Sequence, residues 1–261
     1  LKKLEHYGYE IIAPAAGRLA CGDVGAGKLP SEEVLVEYIE KAIAKPKDLA
    51  GKKILVTAGP TRESIDPVRF ITNHSTGKMG YAIARAAMLR GAEVTLVSGQ
   101  TNLTPPPFVN VVSVVSAQDM FEAVRDHFEE QDVIIKSAAV ADYRPAKVSD
   151  EKIKKKDGDM SIEMERTTDI LQYLAGCRRE DQFICGFSME TQNMLENSRR
   201  KLTKKKLDMI VANNLKVEGA GFGTDTNVVT FITKDQEKTL ERMSKQEVAD
   251  QLLDFILQEQ A

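Results

Sequence analysis

The sequence has 261 residues, of which 42% are hydrophobic and 29% are charged, and its formal net charge is −3. This balance is typical of a globular domain, and it gives no reason to expect broad affinity for nucleic acids or membrane surfaces. No apolar run approaches the ~18–20 residues that a membrane-spanning helix needs, so a membrane protein is not expected either.

Cysteine and histidine are too sparse for several classes of site. Cys21, Cys177 and Cys185 form no C-x-x-C pair, and their odd number argues against a disulfide framework. A histidine-rich metal site is excluded by number, because the chain has only three histidines. We therefore expect a protein of the reducing cytoplasm without structural zinc.

The first part of the chain has few elements of its own. Residues 9–13 are predicted to form a short apolar strand, and Ser31 is placed to cap a helix with an apolar stripe. One strand and one helix cannot bury a core, so we expect residues 1–45 to be the end of another domain. Residues 46–52 are charged and contain a proline, and we expect them to be a linker to a domain at residues 53–261.

The second domain opens with a strand, a long loop and a helix. Residues 54–58 form an apolar strand that ends at Gly59, and a helical pattern begins at Gly77. The ~18 residues between them exceed the usual ~2–6 of such a loop, which favours an active-site element over a surface excursion. Free N–H groups and the positive end of the helix favour an anion. The expected phosphate-binding residues are Gly59, Ser75, Thr76 and Gly77.

Strand and helix patterns alternate along the rest of the chain. Strands are predicted at residues 53–58, 93–98, 109–115, 132–138, 161–165, 182–187 and 208–212, and as a hairpin at 227–233 and 238–242. Helices are predicted at residues 77–90, 116–130, 169–175, 192–206 and 244–258. This alternation predicts an α/β fold, a Rossmann-like three-layer sandwich whose mostly parallel sheet has a mixed edge at the hairpin.

Short polar motifs predict where three of these helices begin. Capping boxes are expected at Ser116 with Asp119 and at Ser244 with Glu247. Thr167 or Thr168 is expected to cap the short helix that follows them.

Polar side chains follow several strands at the edge where an open α/β sheet binds its ligand. They are Arg69, Asn73, Ser75 and Thr76 after the first strand, Asp142 and Lys152 after the fourth, and Phe187, Lys201 and Lys205 after the sixth. Their cationic groups suit a polyphosphate together with a carboxylate, and Asp142 could hold a metal ion.

Each of these residues also has an ordinary structural explanation. Lysines 152, 154, 155 and 156 could be a solvated loop, Lys201 to Lys206 a basic helix end, Phe187 a core residue, Asp142 a turn residue and Cys21 a small hydrophobe. The combination favours a site more than any member does, because independent segments deliver similar chemistry to one sheet edge.

Three motifs carry a resemblance to a known family. They are GPTRESIDPVRFITNHSTGKMG, SAAVADYRP and KIKKK. Together they resemble the phosphopantothenate–cysteine ligase half of bacterial bifunctional coenzyme A biosynthesis proteins, over about residues 50–258. The stretch PAAGRLACGDVGAGKLP looks like the end of the other half, the flavin-dependent phosphopantothenoylcysteine decarboxylase.

The resemblance implies a two-step ligation. CTP activates the carboxylate of 4′-phosphopantothenate as an acyl-cytidylate, and the amine of L-cysteine then displaces CMP. The family implies Mg²⁺ as the metal and a homodimer as the assembly. FMN would belong only to the missing decarboxylase domain, so decarboxylase activity is expected to be absent from this fragment.

The family's functional residues transfer by position. Asn73, with Arg69 beside it, would govern the acyl-cytidylate, Lys152 would assist catalysis, and Cys21 would be a decarboxylase proton donor that is idle here. The implied CTP-binding residues are Lys136, Ser137, Ala138, Asp142, Lys152, Glu165, Arg166, Thr167, Thr168, Phe187, Lys201 and Lys205. Residues 165–168 depart from the Lys-Asn-Pro-like sequence common in the family, which puts side-chain contacts there in doubt.

Two other functions are weighed against the ligase. A dehydrogenase would need a G-x-G-x-x-G turn and an acidic residue ending the second strand, and neither is present. A non-catalytic nucleotide-binding module would explain the loop and the lysines but not Arg69 and Asn73. The sequence leaves the preference for CTP over ATP open, because it depends on a few hydrogen bonds to the base.

Overall fold

The structure is a computed structural model that describes residues 1–19, 21–155, 157–190, 193–214, 221 and 223–260. Lys156, one of the predicted loop lysines, lies outside these residues. Within them, no helix is long and apolar enough to cross a membrane.

Helices and strands alternate through most of the chain. The α-helices are α1 Lys2–His6, α2 Glu32–Ile43, α3 Lys78–Leu89, α4 Ala117–His127, α5 Ile170–Cys177, α6 Met194–Lys204 and α7 Lys245–Gln260. The strands are β1 Ala15–Arg18, β2 Val24–Lys28, β3 Lys53–Ala58, β4 Arg62–Ser64, β5 Phe70–Thr72, β6 Glu93–Ser98, β7 Asn110–Ser113, β8 Val133–Lys136, β9 Tyr143–Pro145, β10 Met164–Arg166, β11 Phe183–Glu190, β12 Met209–Asn214, β13 Thr226–Asn227, β14 Val229–Ile232, β15 Glu237–Thr239 and β16 Met243–Ser244.

The main sheet of the described residues has eight strands in the order β15-β14-β12-β11-β8-β3-β6-β7. The strands from β12 to β7 pair in parallel, and β14 and β15 are antiparallel. Separate apolar clusters cover the two faces, one packed by α3 and α7 and the other by α4, α5 and α6. The predicted α/β sandwich with a mixed hairpin edge is therefore confirmed.

Tight packing brings α3 onto the central strand. A Cβ atom at Gly80 would lie 2.5 Å from the Cβ of Ala58, so only glycine lets the helix approach β3 this closely. The helix therefore begins directly above the carboxyl end of β3, which is where an open α/β sheet binds its ligand.

The local predictions at helix starts are confirmed at three of four positions, and the first of these is Ser31, which caps α2. Both capping boxes form: the hydroxyl oxygens of Ser116 and Ser244 accept the amide hydrogens of Asp119 and Glu247, and each carboxylate accepts a bond from the cap residue's backbone N–H in return. The prediction of a threonine cap for α5 is wrong. Asp169 is the N-cap and accepts from the backbone of Gln172 at 3.0 Å.

Two strand predictions need correction. Residues 9–13 form no strand, and the extended segments are instead β1 and β2, which pair antiparallel across the Gly- and Ala-rich stretch. The strand expected at 161–165 is β10, and it pairs with β9 in a small sheet of its own. The strand prediction at 9–13 is therefore wrong, whereas the one at 161–165 is right in type but shifted towards 164–166, and its pairing partner depends on tertiary contacts that a local pattern does not contain.

The predicted linker at residues 46–52 packs on the second domain. Leu49 is only 2% exposed and lies in the core under α3 and α7. Asp48 accepts a 2.8 Å hydrogen bond from the guanidinium of Arg90, which also pairs with Asp254 on α7. The domain boundary itself stays a prediction, but this segment is anchored at both its apolar and its charged residues.

Candidate functional site

A cleft of about 540 Å³ lies at the carboxyl ends of β3, β8, β11 and β12. Thirteen of the residues proposed from sequence line it: Ser75, Thr76, Gly77, Lys136, Ser137, Ala138, Asp142, Arg166, Thr167, Thr168, Phe187, Lys201 and Lys205. The cleft is therefore formed by the segments that the strand order predicts, with the amino end of α3 on one side and the basic end of α6 on the other.

The amino end of α3 is built to receive an anion. Gly77 occupies the N-cap position with φ 82°, and no side chain among the described residues caps the helix there. A Cβ at Gly77 would lie 2.7 Å from the Cγ2 of Thr101, so glycine is required by both conformation and space. The backbone N–H groups of the first turn thus face the cleft without helical partners, at the positive end of the helix dipole.

Hydrogen bonds join the loop after β3 to the segment after β8. The carbonyl of Gly59 accepts from the amide of Ala139 at 2.9 Å, and the Thr57 hydroxyl accepts from the amide of Ala138 at 3.1 Å. Asn73 donates from its side-chain amide to the carbonyl of Ala139 at 3.1 Å. Asn73 is exposed at the rim, next to the backbone that lines the cleft.

The opposite side of the cleft carries the charged groups. Lys136 ends β8, where burial lowers its pKa to about 8 against the opposing effect of Asp169 and Asp142, and the nearby Lys205 lowers it further. Burial alone would raise the pKa of Asp169, but its hydrogen bond and ion pair with Lys205 bring it below its usual value. Lysines and aspartates are thus arranged as a compact network in which the cations face the cleft.

The residues proposed for CTP binding at 165–168 do not all line the cleft, because the small sheet of β9 and β10 positions them differently. Arg166 lines the cleft, with its guanidinium 5.9 Å from the ring centre of Tyr143. Glu165 instead pairs with Arg144 at 2.8 Å and does not line the cleft of the described chain. The Thr167 hydroxyl donates to the carbonyl of Ala141, which fixes the backbone of this segment.

Phe187 fits both roles considered for it from the sequence, that of a core residue and that of a CTP-binding residue. Its side chain packs on the edge of the hydrophobic core, and it also lines the cleft. Strand β11 continues parallel to β12 beyond Phe187. The ring of Phe187 lies at the cleft, where an aromatic face can contact a planar ligand group.

Three proposed catalytic residues lie elsewhere. Within the described chain, neither Arg69 nor Lys152 lines the cleft, and the crevice that would unite them with the cleft lysines stays a prediction. Arg69 is held by Asp66, and its guanidinium also donates to the carbonyl of Ile153. Cys21 is exposed in the turn between β1 and β2, with its Sγ donating to Asp23 at 3.8 Å.

Asp142, the residue proposed to bind a metal ion, has few neighbouring side chains in the described part of the chain that could bind the ion with it. Among the described residues, no three His, Cys, Asp or Glu side chains converge as a metal site. Asp142 is exposed, and the other acidic residue of the cleft, Asp169, is paired with Lys205. A magnesium ion here would therefore need oxygen ligands from a bound phosphate, as is usual for this ion.

Several cleft residues were missed by the sequence reasoning. They include Lys78, Asp169, Ser188, Asn213, Asn227 and Lys245. Asn213 lies one residue before the end of β12 and directly after the predicted strand 208–212, so it could have been found by the rule that selected residues after the other parallel strands. Lys245 is 6% exposed and donates to the backbone carbonyls of Gly221 and Thr224, and the sequence carries no local signal for that arrangement.

Comparison with known proteins places this cleft in a family. The family model described as "DNA/pantothenate metabolism flavoprotein C-terminal domain" matches residues 49–260. The chain belongs to this family. The match begins at the anchored segment around Leu49 and ends with α7, so it covers the sheet and all the cleft elements.

Curated relatives extend the similarity to longer proteins. The chain is 49% identical over 253 residues to the coenzyme A biosynthesis bifunctional protein CoaBC of Bacillus subtilis (strain 168), covering 95% of this chain and 62% of that protein. It is 47% identical over 252 residues to the CoaBC protein of Vibrio vulnificus (strain YJ016), covering 96% of this chain and 63% of that protein. The chain thus spans somewhat under two thirds of the length of these relatives.

Solved structures give the same fold. A crystal structure of the C-terminal domain of a CoaBC protein is 49% identical, has a TM-score of 0.68, and covers 80% of this chain and 95% of that chain. A structure of a Cab2 mutant in complex with phosphopantothenate-cysteine also has a TM-score of 0.68, and covers 88% of this chain and 94% of that chain. At 16% identity, the second likeness shows the fold alone.

Proposed function

We propose that this protein catalyses the CTP-dependent ligation of 4′-phosphopantothenate with L-cysteine, through an acyl-cytidylate, as a step of coenzyme A biosynthesis. The proposal is supported by the family and by curated relatives that are named as coenzyme A biosynthesis proteins. The Cab2 protein that shares the fold binds phosphopantothenate-cysteine, the product that this reaction would form.

One observation carries the proposal beyond the family name. A single cleft joins the amino end of α3 to the side chains of Lys201 and Lys205. Two anionic substrates must meet in this reaction, and their mutual repulsion has to be screened where they react. A cleft with backbone donors at one side and ammonium groups at the other supplies that screening from fixed positions.

The first step would be the attack of the phosphopantothenate carboxylate on the α-phosphorus of CTP. The new bond joins a carboxylate oxygen to phosphorus, and the bond to the bridging oxygen breaks, so that pyrophosphate leaves with the electron pair. Lys136, Lys201 and Lys205 would stabilise the charge that builds up on the leaving pyrophosphate and the transferred group. The ring of Phe187 would help to place the cytosine.

The second step would be the attack of the cysteine amine on the acyl carbon. A carbon–nitrogen bond forms, CMP leaves with the electron pair, and the amine releases a proton. Asn73 would donate to the developing negative charge at the acyl centre, since its amide lies at the cleft rim and is oriented by the carbonyl of Ala139. The backbone of residues 138–141 would then contact the acyl group, since it lines the cleft beside this amide.

Magnesium belongs to the proposal as the counter-ion of the triphosphate, with Asp142 as the carboxylate available to hold it. It would neutralise phosphate charge during the first step. FMN has no place in the proposed reaction, because neither step oxidises or reduces a substrate. For the same reason Cys21 has no role in it.

We extend the proposal to a cytoplasmic homodimer. The hairpins β4–β5 and β9–β10 expose large apolar side chains beside the cleft: Val68, Phe70, Ile71, Tyr143 and Met164. Exposed apolar patches often mark protein interfaces, and we propose that these side chains form one. Sedimentation equilibrium would give twice the chain mass if the proposal holds, and a single-chain mass at micromolar protein would contradict it.

The test of the reaction is pyrophosphate release from CTP and phosphopantothenate in the presence of Mg²⁺, with and without cysteine. Wild-type protein should release pyrophosphate steadily only when cysteine is present, and phosphopantothenoylcysteine should appear at the same rate. Asn73→Ala should still release about one pyrophosphate per site and then stop with acyl-cytidylate bound. Asn110→Ala, at an exposed position on β7, is the matched control and should behave as wild type.

Two results would contradict the proposal. If wild-type protein binds CTP but releases no pyrophosphate, the cleft is a nucleotide-binding module. If Asn73→Ala slows the first release of pyrophosphate and accumulates no intermediate, Asn73 acts in the first step and its assigned role is wrong.

A further inference from the structure

A buried carboxylate outside the cleft joins the long loop between β3 and α3 to the segment between β9 and β10. Asp66 lies in the loop between β4 and β5 and is 2% exposed. One of its oxygens accepts from the amides of Val68 and Arg69, both at 2.8 Å. The other accepts from the Arg69 guanidinium at 2.7 Å and from the amide of Ile153 at 3.1 Å. The carboxylate therefore has a partner in both segments.

The arginine completes the connection from its other side. The Arg69 guanidinium that contacts Asp66 also donates to the carbonyl of Ile153 at 2.5 Å. Ile153 is thus held at both its N–H and its C=O by one ion pair. A further backbone bond, from the amide of Ser149 to the carbonyl of Ile65 at 3.0 Å, ties the same two segments together four residues earlier.

The contacts of Asp66 and Arg69 with Ile153 hold the backbone in the middle of a lysine-rich segment, residues 152–155. Lys152, Lys154 and Lys155 flank the held residue, and all three are exposed. While Ile153 is held at its N–H and C=O, the backbone at the centre of this segment stays next to the β4–β5 hairpin, which restricts how far the flanking lysines can move. The same hairpin leads directly to Asn73 at the cleft rim.

We infer that Asp66 is a positioning residue for the proposed ligation: together with Arg69 it clamps Ile153 and thereby fixes the lysine segment relative to the loop that carries Asn73. The inference rests on the proposed function for its catalytic consequence, but the clamp itself is a property of the fold. It also gives Arg69 a role through Asp66 and Ile153, in place of the direct role beside Asn73 that the sequence suggested.

The test of the clamp is limited digestion with trypsin, read by mass spectrometry at the bonds after Lys152, Lys154 and Lys155. Asp66→Asn keeps the shape but puts an N–H₂ group where the carboxylate must accept, so cleavage within 152–155 should become about tenfold faster. Arg69→Gln should accelerate cleavage as well, and Arg69→Lys should lie between it and wild type.

Glu63 offers a matched control. It is a second buried carboxylate of the same hairpin, 3% exposed, and its Oε1 accepts from the amide of Ala117 on α4 at 2.9 Å. Glu63→Gln should leave cleavage within 152–155 at the wild-type rate. Equal acceleration by Glu63→Gln and Asp66→Asn, or no acceleration by Asp66→Asn and Arg69→Gln, would overturn the clamp.

The catalytic consequence is measured separately. In Asp66→Asn, kcat/KM for CTP should fall about tenfold or more. We also expect CTP to slow cleavage of the lysine segment in wild-type protein and not in Asp66→Asn. Unchanged kcat/KM with accelerated cleavage would overturn the positioning role. If wild-type protein releases no pyrophosphate, the proposed function fails, while the digestion of the free protein still decides whether the clamp exists.

Discussion

The two sides of the cleft attract anions by different physical means. At the amino end of α3 the donors are backbone N–H groups, placed by Gly77 and by the contact between Gly80 and β3. On the opposite side the attraction comes from the ammonium groups of Lys136 and Lys205; Lys205 is paired with Asp169, whose charge also acts on Lys136. The first side depends on chain geometry and the second on ionisation.

This difference predicts how each side responds to change. Backbone amides carry no titratable proton, so the α3 side should be insensitive to pH but sensitive to any added side-chain volume. The lysine side should tolerate changes of shape but respond to loss of charge and to pH. The predictions that follow compare the two sides, beginning with the largest expected effect.

Gly77→Ala should cause the greatest loss. The left-handed conformation costs an alanine about 1–2 kcal/mol, and its Cβ would collide with Thr101 at the start of the anion site. We expect CTP affinity to fall by about 100-fold, because the helix amides would be displaced from the phosphate. Isothermal titration calorimetry measures the affinity directly.

Gly91→Ala is the control for backbone strain. Gly91 has φ +90° just past the carboxyl end of the same helix, at the end away from the cleft, and its Cβ would meet the Cβ of Lys47 at 3.3 Å. Both variants should lose similar stability in urea denaturation, but only Gly77→Ala should lose CTP affinity. A similar loss of affinity in both variants would mean that the α3 side contributes no specific anion contact.

Lys205→Met should have the next largest effect. It removes a cleft charge and leaves Asp169 without its ion-pair partner beside the bound phosphates. We expect the Kd for CTP to rise by roughly 10–100-fold, with a smaller rise for CMP, which carries fewer phosphate charges. Lys204→Met, one residue earlier and exposed, is the matched control and should change Kd by less than about twofold. Equal effects would show that only the net charge of α6 matters.

The pH dependence of CTP binding should reflect the protonation state of Lys136. Because its pKa is about 8 in the folded protein, roughly nine in ten of these lysines are charged at pH 7 and one in ten at pH 9. CTP affinity should therefore fall by up to about tenfold between these values, and Lys136→Gln should bind more weakly at pH 7 but show a flat profile. A flat profile in wild type would exclude a role for the Lys136 charge.

The lowered pKa of Lys136 also affects the stability of the folded protein. The pKa of Lys136 is lowered in the folded protein, so the unfolded chain binds more protons at pH values between about 8 and 10.5. Its contribution to the free energy of unfolding should therefore rise with pH through this window, and it should be constant below it. Binding and stability thus respond to pH in opposite directions at this residue.

The sequence indicated residues on both sides of the cleft, and on the α3 side it did so from local features alone. The strand, the glycines and the helix start are local features, and short-range sterics and helix electrostatics are enough to locate an anion site there. The capping boxes of α4 and α7 were predictable for the same reason, since both partners lie within one turn.

Features that depend on long-range contacts could not be predicted. Asp66 and Ile153 are 87 positions apart, and only the folded chain shows that one carboxylate holds both segments. The placement of Arg69 away from the cleft follows from that contact. The cap of α5 was missed for a different reason: the Asp169–Gln172 bond is local, but Thr167, Thr168 and Asp169 are all acceptable N-cap residues, and the sequence does not show at which of them the helix begins.

The most direct test of the central claim is a crystal structure of the protein with CTP bound. The account predicts that the triphosphate lies between the backbone amides of Lys78 to Gly80 and the ammonium group of Lys205, with the cytosine near Phe187. A triphosphate that contacts only one of these two sides, or a nucleotide outside the cleft, would contradict it.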